Sequence, residues 1–156
     1  MRYTFGTQLA QYMEMNKKIY LLVCDIGFGV FDTIWKRFPE RLLNTGIAEN
    51  ATIGMAAGMA QEGLVPIVYT ITPFLLERPY EAIKLNIVQM NLNVKLVSFG
   101  DYPDLGPTHI TSDLEGLCKC LNLKLYKPST LGEMICDFSD IMQSNKPSFL
   151  YLSKAK

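Results

Sequence analysis

Six short apolar runs recur along this chain, and segments of helical periodicity separate them. The runs cover residues 19–24, 42–45, 66–71, 94–99, 123–126 and 149–152. Helical spacing predicts helices over residues 4–16, 49–61, 74–90, 112–121 and 131–143. Apolar strands that alternate with helices are typical of a mostly parallel sheet buried on both faces. The sequence therefore predicts an α/β fold, a three-layer sandwich with a mostly parallel central sheet.

Two helix boundaries have specific signals. Pro79 is expected in the first turns of the helix over residues 74–90, or as a kink in that helix. Ser112, with Glu115 three residues later, is the predicted N-cap of the following helix.

The chain length allows a single domain. Its 156 residues are enough for one real core and too few for two ordinary ones, so residues 1–156 are predicted to form one domain. Ligands of such sheets bind beyond the carboxyl ends of the strands. The segments expected at that edge are residues 25–29, 46–49, 72–74 and 100–109, and these segments also hold the unusual residues.

The composition excludes several classes of protein. Apolar residues make up 49% of the chain, and the 15 basic and 15 acidic residues give no net charge. That balance gives no support for a nucleic-acid partner and leaves little self-repulsion against association with another chain. No apolar run reaches about 18 residues, and the N-terminus lacks a signal-peptide layout, so a cytoplasmic protein without a membrane span is expected. Four cysteines without a C-x-x-C pair, and one histidine, argue for reduced thiols and against a metal site.

The segment from Gly46 to Gly58 places one acidic side chain, Glu49, before small and apolar residues. Because the side chains of this segment are small, another part of the structure must pack closely against it. Such packing would dehydrate the carboxyl group and favour its neutral, hydrogen-bond-donating form. The alternative is a helix N-terminal acid that the helix dipole stabilises by about 0.3–1 kcal/mol. The small residues of Gly54-x-x-x-Gly58 and Ala56-x-x-x-Ala60 either accept the backbone of another element or pack on the domain's own sheet.

Three further side chains are candidates for a site. Phe74 and Tyr80 follow the third strand, where aromatic residues form either the core or a ligand platform. His109 lies in the rigid turn Gly-Pro-Thr-His, and histidine exchanges a proton near neutral pH without environmental help. A lone loop histidine is otherwise an ordinary surface residue. The chain contains no P-loop, no complete dinucleotide fingerprint and no G-x-S-x-G elbow.

In order and spacing, these pieces resemble the pyrimidine-binding domain of transketolase-like thiamine diphosphate enzymes, including the 1-deoxyxylulose-5-phosphate synthase branch. The resemblance is strongest over residues 37–115. The strings that carry it are Arg-Phe-Pro-Glu-Arg at 37–41, Asn-Thr-Gly-Ile-Ala-Glu-Asn at 44–50, Gly54, Ala-Ala-Gly at 56–58, Glu-Gly at 62–63, Pro-Ile-Val at 66–68, Phe74, Tyr80, Asn-Leu-Asn-Val-Lys at 91–95 and Gly-Pro-Thr-His at 106–109.

The resemblance implies a role for each candidate. Glu49 would be the catalytic acid that hydrogen-bonds the aminopyrimidine ring nitrogen of thiamine diphosphate and so promotes formation of the ylide. Phe74 would stack on the pyrimidine, and Tyr80 would line the same pocket. His109 would be the second catalytic residue, hydrogen-bonded to oxygen functions of the donor substrate. The implied activity is ketol transfer or a related making or breaking of carbon–carbon bonds.

The chain also departs from the family pattern. Glu77 stands where transketolases carry a second aromatic residue after the stacking Phe. The loop before the Gly-Pro-Thr-His turn is short, and either Asp101 or Asp104 would replace the family's substrate-binding aspartate. Lys127 lies where many transketolases place a phosphate-binding Arg, and a lysine attracts phosphate without the planar fork.

The family's catalysis needs groups that these residues lack. No Gly-Asp-Gly motif for the diphosphate and Mg²⁺ occurs in the sequence, and no transketolase C-terminal domain is recognised. The resemblance therefore implies half an active site, completed by a separately encoded diphosphate-domain subunit that carries the Mg²⁺ ligands, in an expected heterotetramer acting on a small molecule. A noncatalytic subunit with the same fold and interface is the alternative, and an unrelated small-molecule binding module is the third.

Overall fold

The computed structural model describes residues 1–153, which form a central sheet of six parallel strands. The strands are β1 (Ile19–Val23), β2 (Leu42–Asn44), β3 (Val65–Ile71), β4 (Lys95–Phe99), β5 (Lys124–Tyr126) and β6 (Ser148–Leu152). Their order across the sheet is β2-β1-β3-β4-β6-β5. The six predicted strands are confirmed, each to within one residue at either end.

Seven α-helices lie on the two faces of this sheet in the described part of the chain. They are α1 (Arg2–Met15), α2 (Asp32–Arg37), α3 (Glu49–Gln61), α4 (Thr72–Leu76), α5 (Tyr80–Ala82), α6 (Leu114–Cys120) and α7 (Leu131–Gln143). Short 3₁₀ turns cover Pro39–Arg41, Pro103–Leu105 and Pro107–His109, and a π-helical turn covers Ile83–Val88. None of the helices described here is long and apolar enough to cross a membrane.

Of the two places predicted for Pro79, the structure has the disruption within the helix, and the predicted N-cap at Ser112 is wrong. The single helix predicted over residues 74–90 is interrupted, because Pro79 has no N–H to donate and the chain restarts as α5 at Tyr80. The N-cap of α6 is Asp113 rather than Ser112, since the Asp113 carboxylate accepts a hydrogen bond from the Gly116 N–H at 2.9 Å.

The sheet separates two apolar clusters, as the three-layer prediction requires. Along β3, Ile67, Tyr69 and Ile71 point to the face covered by α1, α2 and α7, whereas Val68 points to the opposite face. That second face is covered by α3, α4, the π-helical turn and α6. Because both faces are covered, β3 and β4 are buried along almost their whole length. The predicted α/β fold is confirmed.

The strand order places a topological switch point beside β1. The chain runs from β1 to β2 at one edge of the sheet and then crosses back to β3 on the other side of β1. Connections that leave in opposite directions open a crevice at the carboxyl ends of the strands, where ligands of open α/β sheets bind. The four segments predicted at this edge follow β1, β2, β3 and β4, so the fold brings them to that edge.

A buried lysine lies at the opposite, amino-terminal edge. Lys95 is fully buried at the start of β4, and its Nζ donates hydrogen bonds to the carbonyls of Ser144 (2.8 Å) and Lys146 (2.7 Å), just beyond α7. Burial lowers the pKa of Lys95 to about 8. The side chain ties β4 to the end of α7, far along the strands from the candidate site.

Candidate active site

Glu49 is the first residue of α3, directly after the turn that follows β2. Its side chain is only 6% exposed, although no side chain caps the helix at Ala48. A carboxylate at this end of a helix is stabilised by the helix dipole. The sequence-based expectation of a dehydrated acid at the head of the helix is therefore matched in position and burial.

Hydroxyl groups fix the first turn of α3 to the end of β1. The Thr45 and Thr52 hydroxyl oxygens lie 2.7 Å apart, and Thr52 donates to the Ala48 carbonyl at 2.9 Å. The Thr45 hydroxyl also donates to the Val23 carbonyl at 3.1 Å. Cys24 contacts the same pair of hydroxyls, and burial raises the pKa of its thiol. These contacts hold the backbone that carries Glu49 in a defined position at the switch point.

A residue that the sequence analysis did not select, Arg78, joins two of the candidates. Its Nη1 donates to Glu49 Oε1 at 2.9 Å, and its guanidinium carbon lies 3.5 Å from the centroid of the Phe74 ring. The Arg78 side chain is 41% exposed, so it covers the acid from the solvent side. Glu49 thus accepts a hydrogen bond within an ion pair, whereas the sequence-based expectation was a neutral carboxyl group that donates one. The available sequence signal, an arginine four residues after Phe74, relates Arg78 to Phe74 but gives no indication of its pairing with Glu49.

His109 completes this group of side chains. Its ring lies edge-on to Phe74, with centroids 4.9 Å apart and an interplanar angle of 66°. The histidine closes the Pro107–His109 turn, whose entry at Gly106 has φ +100°, a conformation that favours glycine. The contacts therefore run in a chain from Glu49 to Arg78, from Arg78 to Phe74 and from Phe74 to His109.

Two acidic side chains hold the loop that carries His109. Glu77 Oε1 accepts a hydrogen bond from the Ser112 N–H at 2.7 Å. Asp101 Oδ1 accepts from the Thr111 N–H (3.2 Å) and from its hydroxyl (2.8 Å). Glu77, noted in the sequence only as a departure, is thus an anchor of this loop. Asp101 is already committed to Thr111, whereas Asp104 is exposed in the Pro103–Leu105 turn.

The remaining candidates, Lys127 and Tyr80, are held by other contacts. Lys127 pairs with Glu115 at 2.5 Å and, with Asp101, Thr111, Asp113 and Tyr151, lines a small polar pocket. Tyr80 is half-buried at the start of α5 and packs with the cluster beneath α3, not with the cluster that Phe74 joins. The described residues give no contact that brings Lys127 or Tyr80 to the acid.

A second, mostly apolar pocket lies between β1, β2 and α2. Val23, Ile26, Phe28, Phe31, Trp35 and Leu42 contribute to its lining. Its one acidic side chain, Asp32, already accepts a hydrogen bond from the Gly29 N–H at 2.9 Å. The pocket therefore offers apolar surface without a free reactive group.

The outer face of α3 is flat and uncovered. A Cβ added at Gly54 or Gly58 would meet nothing within 4 Å, while Ala56 and Ala57 are buried against the domain's own sheet. Met55, between these glycines on α3, is 46% exposed, and Ile47, just before the helix, is 74% exposed. Of the predicted small residues, Ala56 and the partly buried Ala60 pack on the domain's own core, whereas Gly54 and Gly58 have no neighbour within 4 Å of an added Cβ.

No group of three or more His, Cys, Asp and Glu side chains within residues 1–153 is placed to hold a metal ion. The carboxylates near the site are dispersed over separate contacts with Arg78, Ser112 and Thr111.

The six-stranded parallel sheet with helices on both faces has the fold of the transketolase pyrimidine domain. All 156 residues match the family described as "Transketolase, pyrimidine binding domain". The chain belongs to this family.

Relatives in this family include subunits of transketolases. The chain is 37% identical over 102 residues to a subunit of the apulose-4-phosphate transketolase of Actinobacillus succinogenes, a match that covers 63% of this chain and 33% of the relative. It is 27% identical to the 6-deoxy-6-sulfo-D-fructose transketolase subunit of Clostridium sp. (strain MSTE9), over 97% of this chain and 49% of that subunit.

Solved structures show the same fold. A structure described as "Split gene transketolase, inactive beta4 tetramer" superposes with a TM-score of 0.87 at 27% identity, over 99% of this chain and 50% of that one. The transketolase of Campylobacter jejuni superposes with a TM-score of 0.85 over 97% of this chain and 25% of the enzyme, and at 19% identity it supports the fold alone. The chain thus spans at most about half the length of these relatives.

Proposed function

We propose that this chain supplies the pyrimidine domain of a split, transketolase-like thiamine diphosphate enzyme that transfers a two-carbon ketol unit or catalyses a related carbon–carbon bond reaction. One observation carries the proposal: a buried carboxylate at the head of α3 shares the Arg78 guanidinium with an aromatic ring, Phe74, and that ring packs against a histidine. Family membership and the transketolase subunits among the relatives support it.

The residues fit the aminopyrimidine of this cofactor. A planar, nitrogen-bearing group already lies against Phe74 and donates to Glu49, namely the Arg78 guanidinium. Its distances, 3.5 Å to the ring centroid and 2.9 Å to the carboxylate oxygen, are those of stacking and of an N–H···O hydrogen bond. Phe74 and Glu49 therefore offer the two contacts that a flat heterocycle with ring and amino nitrogens needs.

The residues of this chain would have distinct roles toward the cofactor and the substrate. When bound, thiamine diphosphate supplies the carbon nucleophile for the reaction. Glu49 would share a proton with the ring nitrogen of the pyrimidine, and Phe74 would stack on that ring. His109, placed beside Phe74, would hydrogen-bond the substrate oxygens. The Thr45–Thr52 hydroxyl pair would keep the acid at a fixed depth.

The other candidates have less direct roles. The exposed carboxylate of Asp104 and the ammonium of Lys127 remain candidates for the substrate's hydroxyl and anionic groups. Asp101 would act mainly by holding the His109 loop. Tyr80 is retained as a candidate for the wall of the cofactor pocket.

A separate subunit would complete the site. We propose that it carries the diphosphate-binding domain and the Mg²⁺ ligands, and that the two chains form a heterotetramer. The transketolase subunits among the relatives, the split-gene transketolase structure and the uncovered glycines of α3 support this arrangement. The free thiols of the described chain suit a cytoplasmic location, which is part of the proposal.

A noncatalytic subunit is the second candidate function. Two observations favour it: Glu77 replaces a family aromatic residue, and Arg78 occupies the carboxylate on which catalysis would depend. Such a subunit would retain the fold and the interface while contributing no group to the reaction.

Substitution of Glu49 separates the two functions. The enzyme would be co-purified with its companion chain from the source cell, and ketol transfer compared for wild type, Glu49→Gln and the exposed control Glu62→Gln at the end of the same helix. Loss of a proton-transferring group lowers turnover by roughly 10²–10⁴-fold, so Glu49→Gln should be nearly inactive and Glu62→Gln normal. Full activity of a folded Glu49→Gln enzyme would refute the catalytic role.

A further inference from the structure

Arg78 makes both contacts that the proposed function assigns to the cofactor's pyrimidine. Its guanidinium is a planar array of N–H donors that lies 3.5 Å over Phe74 and donates to Glu49 Oε1 at 2.9 Å. An aminopyrimidine stacked on the same ring and bonded to the same carboxylate would need the space that the guanidinium fills. The two groups would therefore compete for one place.

We propose that Arg78 is an internal pseudo-ligand, a side chain that occupies the aminopyrimidine place and must move away before thiamine diphosphate binds. The inference rests on the proposed function, because the competition exists only if Glu49 and Phe74 hold the cofactor. It adds a regulatory element to that function, since the domain's own arginine sets the affinity of the site.

The surroundings of Arg78 allow this movement. The residue lies between α4 and α5, outside both helices, and it directly precedes Pro79. Its side chain is 41% exposed, whereas Glu49 is 6% exposed, so the arginine leaves toward solvent while the acid stays in place. The Thr45–Thr52 hydroxyl contact fixes the backbone beneath the acid but makes no contact with the arginine.

The contacts that must be broken are of moderate strength. An ion pair with a partly exposed partner and a single cation–π contact together favour the occupied arrangement by a factor of roughly 5 to 30. When a binding-competent arrangement is only fractionally populated, the apparent affinity of a ligand falls by that fraction. Removal of the guanidinium should therefore tighten binding of the pyrimidine by roughly 5- to 30-fold.

The alternative role for Arg78 is to position Glu49 for the cofactor. Arg78 bonds one carboxylate oxygen, and it would instead hold Glu49 in the orientation that the pyrimidine requires. In that case loss of the guanidinium would weaken binding. The sign of the change in affinity therefore separates the two roles.

The experiment measures thiamine binding to the full chain by isothermal titration calorimetry, because thiamine carries the aminopyrimidine without the diphosphate. Arg78→Met retains the apolar stem and removes the planar cation. Arg37→Met is the matched control, since Arg37 also pairs with a carboxylate (Glu14, 2.7 Å) and lies over a phenylalanine (Phe38, 5.1 Å) but lies on α2. We expect a lower dissociation constant for Arg78→Met only.

A rescue measurement adds an independent readout. Methylguanidinium, a free copy of the side-chain head group, should bind in the freed place of Arg78→Met and raise the apparent dissociation constant of thiamine competitively. In the wild-type chain, where the place is filled, the same concentration should have little effect.

Failure of the pseudo-ligand proposal and failure of the proposed function give different results. Weaker or unchanged thiamine binding by Arg78→Met, or no saturable binding at all, would overturn the pseudo-ligand while Glu49 and Phe74 could still hold the cofactor in the assembled enzyme. If Arg78→Met binds thiamine tightly and the additional substitutions Glu49→Gln and Phe74→Ala leave that binding unchanged, the site lies elsewhere and both proposals fall.

Discussion

Lys95 predicts a specific dependence of stability on pH. Its ammonium has three donors, and the two carbonyls of Ser144 and Lys146 accept only two of them in a fully buried place. A neutral amine has two N–H donors and matches these acceptors. Burial accordingly lowers the pKa of Lys95 from its ordinary value of 10.5 to about 8 in the folded chain.

The direction of the pH dependence follows from how the folded and unfolded chains bind the Lys95 proton. Between pH 8 and 10.5 the folded chain has released the Lys95 proton while the unfolded chain retains it, so the unfolded state binds more protons and stability rises with pH. Below pH 8 both states are protonated, and the cost of the buried charge is constant. At about 1.4 kcal/mol per pKa unit, the gain across this window is at most about 3.5 kcal/mol.

The assay is urea unfolding of wild type and Lys95→Met from pH 7 to 10.5, followed by circular dichroism. Subtracting the two profiles cancels the titration of the tyrosines and thiols that both chains share. The wild-type free energy of unfolding should rise relative to Lys95→Met only above pH 8, whereas the exposed control Lys84→Met should run parallel to wild type. Parallel profiles for Lys95→Met would refute the reasoning, because the folded and unfolded states would then bind the proton equally.

Two further predictions concern the loop and the interface. Glu77→Ala should raise the substrate KM of the assembled enzyme by up to about tenfold, because a hydrogen bond to a charged group contributes about 1.5 kcal/mol. Glu77→Gln retains an acceptor for the Ser112 N–H, so its KM should lie closer to that of wild type. Equal KM values for all three enzymes would show that Glu77 does not anchor the loop. Gly54→Leu should stabilise the isolated chain by about 0.8 kcal/mol through helix propensity and yet prevent co-purification with the partner. The control Gln143→Leu, at an exposed position on α7, should assemble normally. Normal assembly of Gly54→Leu would show that this face of α3 is not part of the interface.

The strands could be predicted from sequence because their signal is local. The central apolar runs are buried on both faces, so composition and length alone define them, as in Val65–Ile71 and Lys95–Phe99. Helix α2 escapes prediction because Asp32–Arg37 is only six residues long and leaves Trp35 55% exposed, which gives no stripe of apolar residues. The break at Pro79 is only partly predictable, because a proline is tolerated in a first turn and disruptive one turn later.

The site could be predicted only where its chemistry lies in a motif. Glu49, Phe74 and His109 belong to recognisable strings, and the fold places them together. Arg78 and Glu77 act across 29 and 35 residues of sequence, on Glu49 and on Ser112. No periodicity encodes such tertiary partners, so their roles emerge from the geometry alone.

A comparison of the hydrogen-bond partners of the buried charged side chains favours a ligand for Glu49. Buried Arg41 donates to the carbonyls of Met13 (2.7 Å) and Asn16 (3.3 Å), and buried Lys95 donates to two carbonyls, so both cations are satisfied by the fold itself. Glu49 has a single side-chain partner among the described residues, and that partner is 41% exposed. An ion pair with an exposed partner contributes about 0–1 kcal/mol, which is a weak structural reason to bury a carboxylate at a switch point. A planar, nitrogen-bearing ligand that replaces Arg78 would supply the missing donor, and this need distinguishes Glu49 from the structural charges of the fold.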